Sequence, residues 1–559
     1  MEKRIQEMPV INNKSGNKFF NYLPELIALF VLLLSGIVYV YGIEHFLDIF
    51  GNDESMYLYG GNSFPLNFPN SEYSPLYTLW YFSLNLLQPD TIRLYYLNYI
   101  LMTVLPSLFI YIFLRINKAD MIISFFFSLT FLLSYSNFPT WPKVSHFALL
   151  SLLTGLIISS LLTDKKHKVL AFTVCLLLTS FIRPEFFLSF ILVSIILSAI
   201  YSLEWFNNYT LRSVTPLIIA ALVCLAFLYV FGLPAGSGDR SFQAFGQHYA
   251  RNWVKWNNDP RDPYYNYIII LKEDFGNVNS ITGAILKNPS AISRHVIENI
   301  SNLLGEIKYM FLNYYPIGYP GKLSLLAAIM VLIISFIPSL RIRDKLNYKI
   351  ILNRISENFR YLRFFFLIVL IAITPLIMSS IFIFPRRHYL LFPGVILLLM
   401  LITIVFRNAL VSKKKNKYIT LIYVCILPLI LVRPLNSLLN EPKPENLSAI
   451  KYLRSLKITE PVNILETWGI YSIYESKNYN RIPDYNKDKL FNEYMKEWSI
   501  NMIVVSDRLL IDTRFSTDPE WLYFINNPEE FGFVTIIIPD TKGIKLLVKK
   551  DILNKSVSN

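Results

Sequence analysis

The sequence has little charge and few cysteines for its length. Charged residues make up 16% of the 559 residues, whereas a water-soluble protein carries roughly 25%. The cysteines Cys175, Cys224 and Cys425 all lie in apolar segments, which excludes a disulfide framework and a cysteine-based zinc motif. The chain also has no internal repeat and no low-complexity tract, so a repeat architecture is excluded.

Apolar residues dominate what is present. They make up 53% of the chain, and the mean hydropathy is +0.41. Many Tyr and Trp residues lie at the ends of apolar runs, where membrane–water interfaces favour amphipathic rings. The composition therefore predicts an integral membrane protein that is surrounded by membrane lipids.

The net charge of +14 is concentrated in short loops between alternate apolar runs. This distribution is typical of loops that stay in the cytoplasm, and it explains the basicity without a nucleic-acid partner. The basic clusters are Lys3, Arg4, Lys14 and Lys18; Lys165, Lys166 and Lys168; Arg341, Arg343, Lys345 and Lys349; and Lys413, Lys414, Lys415 and Lys417.

The apolar runs predict a polytopic α-helical membrane protein with about eleven transmembrane helices, since a span needs about 20 apolar residues. The basic loops predict an N-terminus inside and a C-terminus outside. Spans are predicted at 23–41, 96–114, 121–133, 169–182, 186–201, 214–231, 323–340, 364–384 and 418–432, with a fourth ending at 162 and a tenth at 411. Residues 1–433 form the predicted transmembrane domain, with long outer loops at 42–95 and 232–322.

Residues 434–559 have the composition of a soluble domain. Helical periodicity at 446–456 is followed by short apolar runs at 462–465, 502–505, 534–538 and 544–548. Strands that alternate with helices indicate an α/β fold. We therefore expect a small extracytoplasmic α/β domain at the C-terminus.

Two adjacent carboxylates, Asp53 and Glu54, follow the first span. Carboxylates beside a hydrophobic bundle cost free energy unless protonation, a partner or a function compensates. One interpretation is a pair that caps a helix N-terminus on the wet surface. The other is catalysis, because transfer from a phosphate-linked donor requires a carboxylate base that faces cations.

Cations and histidines occur in the other outer loops. Arg183 could belong to a turn with a local ion pair to Glu185. Arg386 and Arg387, the two late arginines that follow the predicted span at 364–384, could bind lipid headgroups. The histidines are candidates for contact with donor or acceptor, or are structural, and no close-spaced motif makes them metal ligands. The cationic candidates for a donor phosphate are Lys143, Arg183, Arg240, Arg386 and Arg387, and the histidines are His146, His248 and His388.

Two short segments resemble a known family. Residues 53–57, Asp-Glu-Ser-Met-Tyr, are similar to the acidic pair in the first outer loop of GT-C glycosyltransferases. Residues 385–393, Pro-Arg-Arg-His-Tyr-Leu-Leu-Phe-Pro, resemble the Arg-Tyr-Leu-Leu-Pro-like stretch that follows a late span in many of them. The nearest kin would be the protein O-mannosyltransferases, the aminoarabinose transferase of lipid A and the RgtA/B/C/D-like transferases.

The resemblance implies an inverting enzyme that uses a polyprenyl-phosphate sugar at the outer membrane boundary. It implies that Asp53 is the catalytic base and that Glu54 orients acceptor or metal. The late arginine maps to either Arg386 or Arg387, because two arginines and a histidine precede Tyr389 here. Tyr57 and Tyr389 are expected to contact donor or acceptor. Some members use a divalent metal ion and others do not, so the cofactor stays open.

The sequence thus leads to a bacterial inner-membrane glycosyltransferase that moves one sugar to an extracytoplasmic glycan, lipid or protein acceptor. A transporter or lipid-linked oligosaccharide flippase would instead place charges at mid-membrane. An O-antigen polymerase or ligase would transfer whole glycans from a polyprenyl pyrophosphate. An adhesion role for the outer domain would leave the acidic pair unexplained.

Overall fold

The computed structural model describes residues 18–312, 348–407, 417–434 and 444–557, with short gaps at 52, 67, 70, 139, 208–210, 235–238, 468, 476–477, 483–489 and 513–514. The predicted span at 323–340 lies outside the described residues. So do the basic residues at 3–14, 341–345 and 413–415.

Helices make up nearly all of the structure before residue 434. In chain order they are α1 (Lys18–Tyr39), α2 (Asp53–Ser63), α3 (Pro75–Asn85), α4 (Thr91–Ile116), α5 (Met121–Leu132), α6 (Val144–Leu161), α7 (Lys165–Ser180), α8 (Phe186–Asn207), α9 (Leu211–Phe231), α10 (Asp239–Asn257), α11 (Pro263–Phe275), α12 (Ile281–Lys287), α13 (Pro289–Leu312), α14 (Tyr348–Phe382), α15 (Arg387–Phe406) and α16 (Lys417–Leu431).

Several of these helices can cross a bilayer. Among the described residues, seven helices are long and apolar enough, namely α1, α4, α6, α8, α9, α14 and α15, while α5 and α16 are apolar but shorter. The chain therefore has the helices of a polytopic membrane protein. The larger number of about eleven spans stays a prediction.

The ends of the helices separate the charged groups into two sets. At one end, which we call the basic end, Arg115 of α4 forms a salt bridge with Glu25 of α1 at 2.5 Å. Lys165 Nζ lies 5.7 Å from the ring centroid of Phe364 there. The opposite end, which we call the site end, carries α2, α3 and the first residues of α4 and α6. The predicted alternation of loops across a membrane, and the side of the membrane that each end faces, stay predictions.

The predicted long loops contain helices. Residues 239–312 form α10 to α13, which pack around a core of Phe245, Tyr249 and Phe275. α13 starts with Pro289 at its first position, and Asn288 Oδ1 accepts from the backbone N–H of Ala291 at 3.1 Å. The loop at 42–95 is likewise mostly helical, since it holds α2, α3 and the first turn of α4.

The C-terminal part contains the expected small sheet. The strands are β1 (Val462–Leu465), β2 (Tyr479–Arg481), β3 (Met502–Val505), β4 (Phe533–Ile537) and β5 (Lys545–Lys549), and the helices are α17 (Glu445–Ser455), α18 (Phe491–Glu497), α19 (Asp507–Leu510), α20 (Pro519–Asn526) and α21 (Lys550–Val557). Among the described residues the sheet has five strands in the order β2-β1-β3-β5-β4. β1 pairs in parallel with β2 and β3, whereas β5 pairs antiparallel with β3 and β4.

Each predicted apolar run in this domain is a strand. Only β2 was missed, because its residues Tyr479, Asn480 and Arg481 form no apolar run. β3 lies in the middle of the sheet and all four of its residues are buried. A strand covered on both faces reads as a continuous apolar segment, which explains why it was recognisable.

Candidate active site

The two adjacent carboxylates lie in different environments. Asp53 is the first residue of α2 and is exposed, whereas Glu54 has no exposed surface. Successive residues of an α-helix point about 100° apart. One carboxylate therefore faces solvent at the site end while its neighbour points into the bundle.

Glu54 is held by hydrogen bonds from three other segments. Its Oε1 accepts from the hydroxyls of Tyr77 at 2.5 Å and Tyr81 at 2.6 Å, both on α3. The side-chain amide of Asn98 on α4 donates to the same oxygen at 3.0 Å. The backbone N–H of Lys143, just before α6, donates to Oε2 at 2.9 Å. Glu54 thus joins α2 to α3, α4 and α6.

The donors around Glu54 are themselves fixed. Trp80 Nε1 donates to Asn98 Oδ1 at 2.8 Å, which orients the amide so that its N–H groups face the carboxylate. Burial raises the pKa of Glu54, while the hydrogen bonds from Tyr77, Tyr81 and Lys143 oppose that rise. Burial and the nearby carboxylate also raise the pKa of Tyr77 and Tyr81 well above its ordinary value. Both phenols therefore stay protonated as donors.

The side chain of Lys143 is buried beside this network. Its Nζ donates to the backbone carbonyl of Asn137 at 2.7 Å and lies 4.5 Å from the ring centroid of Tyr99. Burial lowers the pKa of Lys143 to about 7, although the charge of Glu54 opposes the shift. The sequence predicted Lys143 on the outer surface, and the structure places it in the interior of the site end.

Arg240 contacts α2 through Tyr57. Its Nη2 donates to the hydroxyl of Tyr57 at 3.1 Å, and its guanidinium lies 5.0 Å from the ring centroid of Tyr73. Tyr57 contributes most to raising the pKa of Arg240, and Asp53 and Tyr389 raise it further. Burial of the guanidinium acts in the opposite direction and lowers the pKa. The start of α10 thus brings a cation to the part of α2 that carries Asp53.

Arg183 occupies the turn between α7 and α8. It donates to Glu185 Oε1 from Nε at 2.8 Å and from Nη2 at 2.6 Å, which is the local ion pair expected from the sequence. Its guanidinium also lies 4.7 Å from the ring centroid of Tyr389. Burial alone would lower the pKa of Arg183, but Glu185, Tyr389 and Tyr57 together raise it. The turn and the first turn of α15 therefore meet at the site end.

The two late arginines point in different directions. Arg386 precedes α15, is half-buried, and donates from Nη2 to the hydroxyl of Tyr264 at 2.8 Å. Arg387 has a side chain that is 53% exposed and bonds to Glu306 Oε2 at 3.2 Å. The positive charge of Arg386 helps to lower the pKa of His248. Arg387 instead lies on the outer surface beside α13.

The histidines are buried. His248 stacks on Phe384 at 5.1 Å, and burial together with Arg386 and Arg251 lowers its pKa to about 2, so the ring is neutral. His146 is fully buried, and its ring lies against the backbone of Ser136 and Asn137. His388 is 8% exposed, and its ring packs edge-on against the ring of Tyr389 with the centroids 4.3 Å apart.

A metal centre is not evident from the described side chains. In that part of the chain, no group of three or more His, Cys, Asp or Glu residues is arranged to hold a metal ion. Metal dependence therefore stays open, as it is in the sequence.

Residues that sequence analysis did not single out complete the site. Tyr77, Tyr81 and Asn98 surround Glu54, and none of them belongs to a charged motif. A partial signal exists, since Tyr77 and Tyr81 are four residues apart and so share one helix face. Asn98 lies in an apolar span, where an amide without a hydrogen-bond partner costs free energy. Its presence there is a second sequence signal, because it predicts a polar partner.

Comparison with protein-family models, with curated proteins and with solved structures finds no match to this chain. The site must therefore be interpreted from its own geometry.

Proposed function

We propose that this protein is a membrane glycosyltransferase of the GT-C type that transfers one sugar from a polyprenyl-phosphate donor to a glycan, lipid or protein acceptor. The proposal includes a location in the cytoplasmic membrane of a bacterium, with the site end facing outward. The observation that carries it is the exposed Asp53 at the start of α2, the helix that Arg240 contacts through Tyr57 at 3.1 Å, at the same end of the bundle as Arg183 and Arg386.

The proposed reaction is a single displacement. The oxygen of an acceptor hydroxyl attacks the anomeric carbon, and its proton passes to the Asp53 carboxylate. The bond between that carbon and the donor phosphate oxygen breaks, and the electron pair leaves with polyprenyl phosphate. A base at the attacking oxygen and cations at the departing phosphate both act in the transition state. Attack opposite to the leaving group inverts the anomeric centre.

The geometry supports different roles for the two acids. Asp53 is exposed and can reach an acceptor, whereas Glu54 has no exposed surface and binds Tyr77, Tyr81 and Asn98. We therefore assign Asp53 as the base and Glu54 as a positioning residue that fixes α2. This revises the expectation that Glu54 orients acceptor or metal directly.

The geometry also favours one of the two late arginines. Arg386 is half-buried, bonds to a neutral phenol and lies close enough to act on His248. Arg387 is bonded to the carboxylate of Glu306 on the outer surface. A guanidinium that bonds to a neutral group keeps its charge for an anion, so Arg386 is the proposed phosphate ligand, together with Arg240, which donates to the hydroxyl of Tyr57. Arg183 is paired with Glu185 and is not assigned to the phosphate.

The proposal is tested by mass spectrometry of polyprenyl lipids and surface glycans in wild-type and deletion strains. We expect a polyprenyl monophosphate sugar to accumulate in the deletion strain while one glycan, lipid or protein loses a single sugar. Accumulation of a long oligosaccharide on a pyrophosphate lipid would instead indicate a polymerase, ligase or flippase, and would refute the proposal.

A further inference from the structure

The segment that carries Asp53 is held on its N-terminal side by the C-terminal domain. The backbone N–H groups of Asn446 and Leu447, in the first turn of α17, donate to the Asp48 carboxylate, each at 3.0 Å. The side chain of Asn446 donates to the carbonyl of Ile49 at 3.0 Å. A carboxylate at a helix N-terminus satisfies N–H groups that have no partner within the helix. Asp48 is thus the cap of a helix that is almost 400 residues away in sequence.

The same domain holds the segment on its C-terminal side. The hydroxyl of Tyr474 lies 3.0 Å from Ser55 Oγ, and Ser55 Oγ in turn donates to the carbonyl of Phe50 at 3.0 Å. Tyr474 is fully buried, and its ring packs edge-on against Tyr95 with centroids 5.9 Å apart. Asp53 lies between these two contacts, two residues before Ser55.

Tyr474 is itself firmly placed. Arg454 Nε donates to its carbonyl at 2.8 Å, and Thr91 Oγ1 donates to the same carbonyl at 3.2 Å. Arg454 also forms a salt bridge with Asp90 at 2.5 Å. The domain is therefore tied to the first turn of α4 at the position from which Tyr474 reaches α2.

We infer that the C-terminal domain is a clamp for the catalytic segment and that Tyr474 is a positioning residue for Asp53. The catalytic meaning of the clamp rests on the proposed function, while the clamp itself rests on the contacts of residues 48–55. Displacing a catalytic group by about 1 Å can cost about a hundredfold in rate. The first turn of α2 is a place where such a displacement is easy, because its N–H groups lack intrahelical partners.

The test compares single-atom deletions on the two sides of one contact. In the full-length protein, Tyr474→Phe and Ser55→Ala should each speed amide hydrogen exchange in a peptide that covers residues 48–58. Each should lower the transfer rate at saturating donor by about tenfold. The KM for the donor should stay within about twofold of the wild-type value. The double variant should be no worse than Ser55→Ala alone, because Ser55→Ala already removes the hydrogen bond that Tyr474→Phe removes, together with the bond to the Phe50 carbonyl.

The matched control is Tyr523→Phe, which removes an exposed hydroxyl that donates to Glu530 at 2.7 Å in the same domain. It should change neither exchange nor rate. Asp48→Asn provides a second variant if Tyr474→Phe fails to fold, because it weakens the other contact and should also speed exchange in residues 48–58.

Unchanged exchange in Tyr474→Phe and Asp48→Asn would overturn the clamp, and so would additive effects of Tyr474→Phe and Ser55→Ala. Faster exchange with no change in the transfer rate would limit the clamp to stability and overturn the positioning role. If the wild-type protein shows no transfer, the proposed function fails, whereas the exchange experiment still decides whether the clamp exists.

Discussion

The two ends of the helical bundle differ in the partners of their charged side chains. At the basic end, Arg115 and Glu25 neutralise each other directly, with Nε–Oε distances of 3.1 and 3.0 Å. At the site end, Arg183 pairs with Glu185, whereas Arg240 and Arg386 each donate to the hydroxyl of a tyrosine. Opposite charges that pair directly serve structure, whereas cations that bond to neutral groups keep an affinity for anions.

The comparison extends to the carboxylates. Glu25 at the basic end accepts from the guanidinium of Arg115 and from the hydroxyl of Tyr111, whereas Glu54 at the site end accepts from phenols, an amide and a backbone N–H. Neutral hydrogen-bond donors can stabilise a buried carboxylate without a salt bridge to a cation. The site end therefore fixes α2 through a carboxylate whose hydrogen-bond donors are all neutral groups.

The largest effect is expected at Asp53. Asp53→Asn removes the proposed base without removing a buried contact, so the transfer rate should fall by about 10²- to 10⁴-fold with unchanged thermal stability. Glu25→Gln is the contrast at the basic end and should lower stability while the folded protein keeps its rate. Turnover of purified protein with a polyprenyl-phosphate sugar measures both. Equal rate losses in the two variants would remove the distinction between the ends.

Glu54 should matter mainly for stability. Glu54→Ala leaves the buried donors of Tyr77, Tyr81 and Asn98 without their acceptor, and the free energy of unfolding should fall by about 3 to 5 kcal/mol. Glu54→Gln keeps an acceptor oxygen and should lose less. Unfolding in mixed micelles measures the change. A stable Glu54→Ala variant that has lost only its activity would show that Glu54 acts on substrate.

Lys143 should give the site end a dependence on pH. Its pKa is about 7 in the folded protein and about 10.4 in an unfolded chain. Between these values the unfolded state binds more protons, so stability should rise with pH, by about 2 to 3 kcal/mol from pH 7 to pH 9. Lys143→Met should lack this rise. Parallel profiles of wild type and Lys143→Met in thermal unfolding would contradict the buried position of the amine.

The smallest effect separates the two late arginines. Arg386→Gln should weaken binding of a polyprenyl phosphate by about tenfold, since it removes one charge-assisted contact. Arg387→Gln removes an exposed pair with Glu306 and should change affinity less than twofold. Calorimetric titration in detergent measures both. A larger loss in Arg387→Gln would reverse the assignment.

Much of the architecture was visible in the sequence. Apolar runs marked the long helices, and the run at 502–505 marked the central strand β3 because it is buried on both faces. These features follow from local composition, which needs no knowledge of packing.

The arrangement within the site could not be read from the sequence. Asp53 and Glu54 are adjacent, and so are Arg386 and Arg387, so their different exposure depends on which helix face meets a neighbour. The residues of α2 show no apolar stripe that would reveal that face. The contact of Tyr474 with Ser55 joins segments that are 419 residues apart, and no local pattern encodes such a pairing.

The most direct test of the account is complementation of a deletion strain with Asp53→Asn at wild-type expression. The account predicts that the variant accumulates the same polyprenyl monophosphate sugar as the deletion and that the same acceptor lacks one sugar. Restoration of the wild-type lipid and glycan profile by Asp53→Asn would contradict it, because the proposed base would then be dispensable.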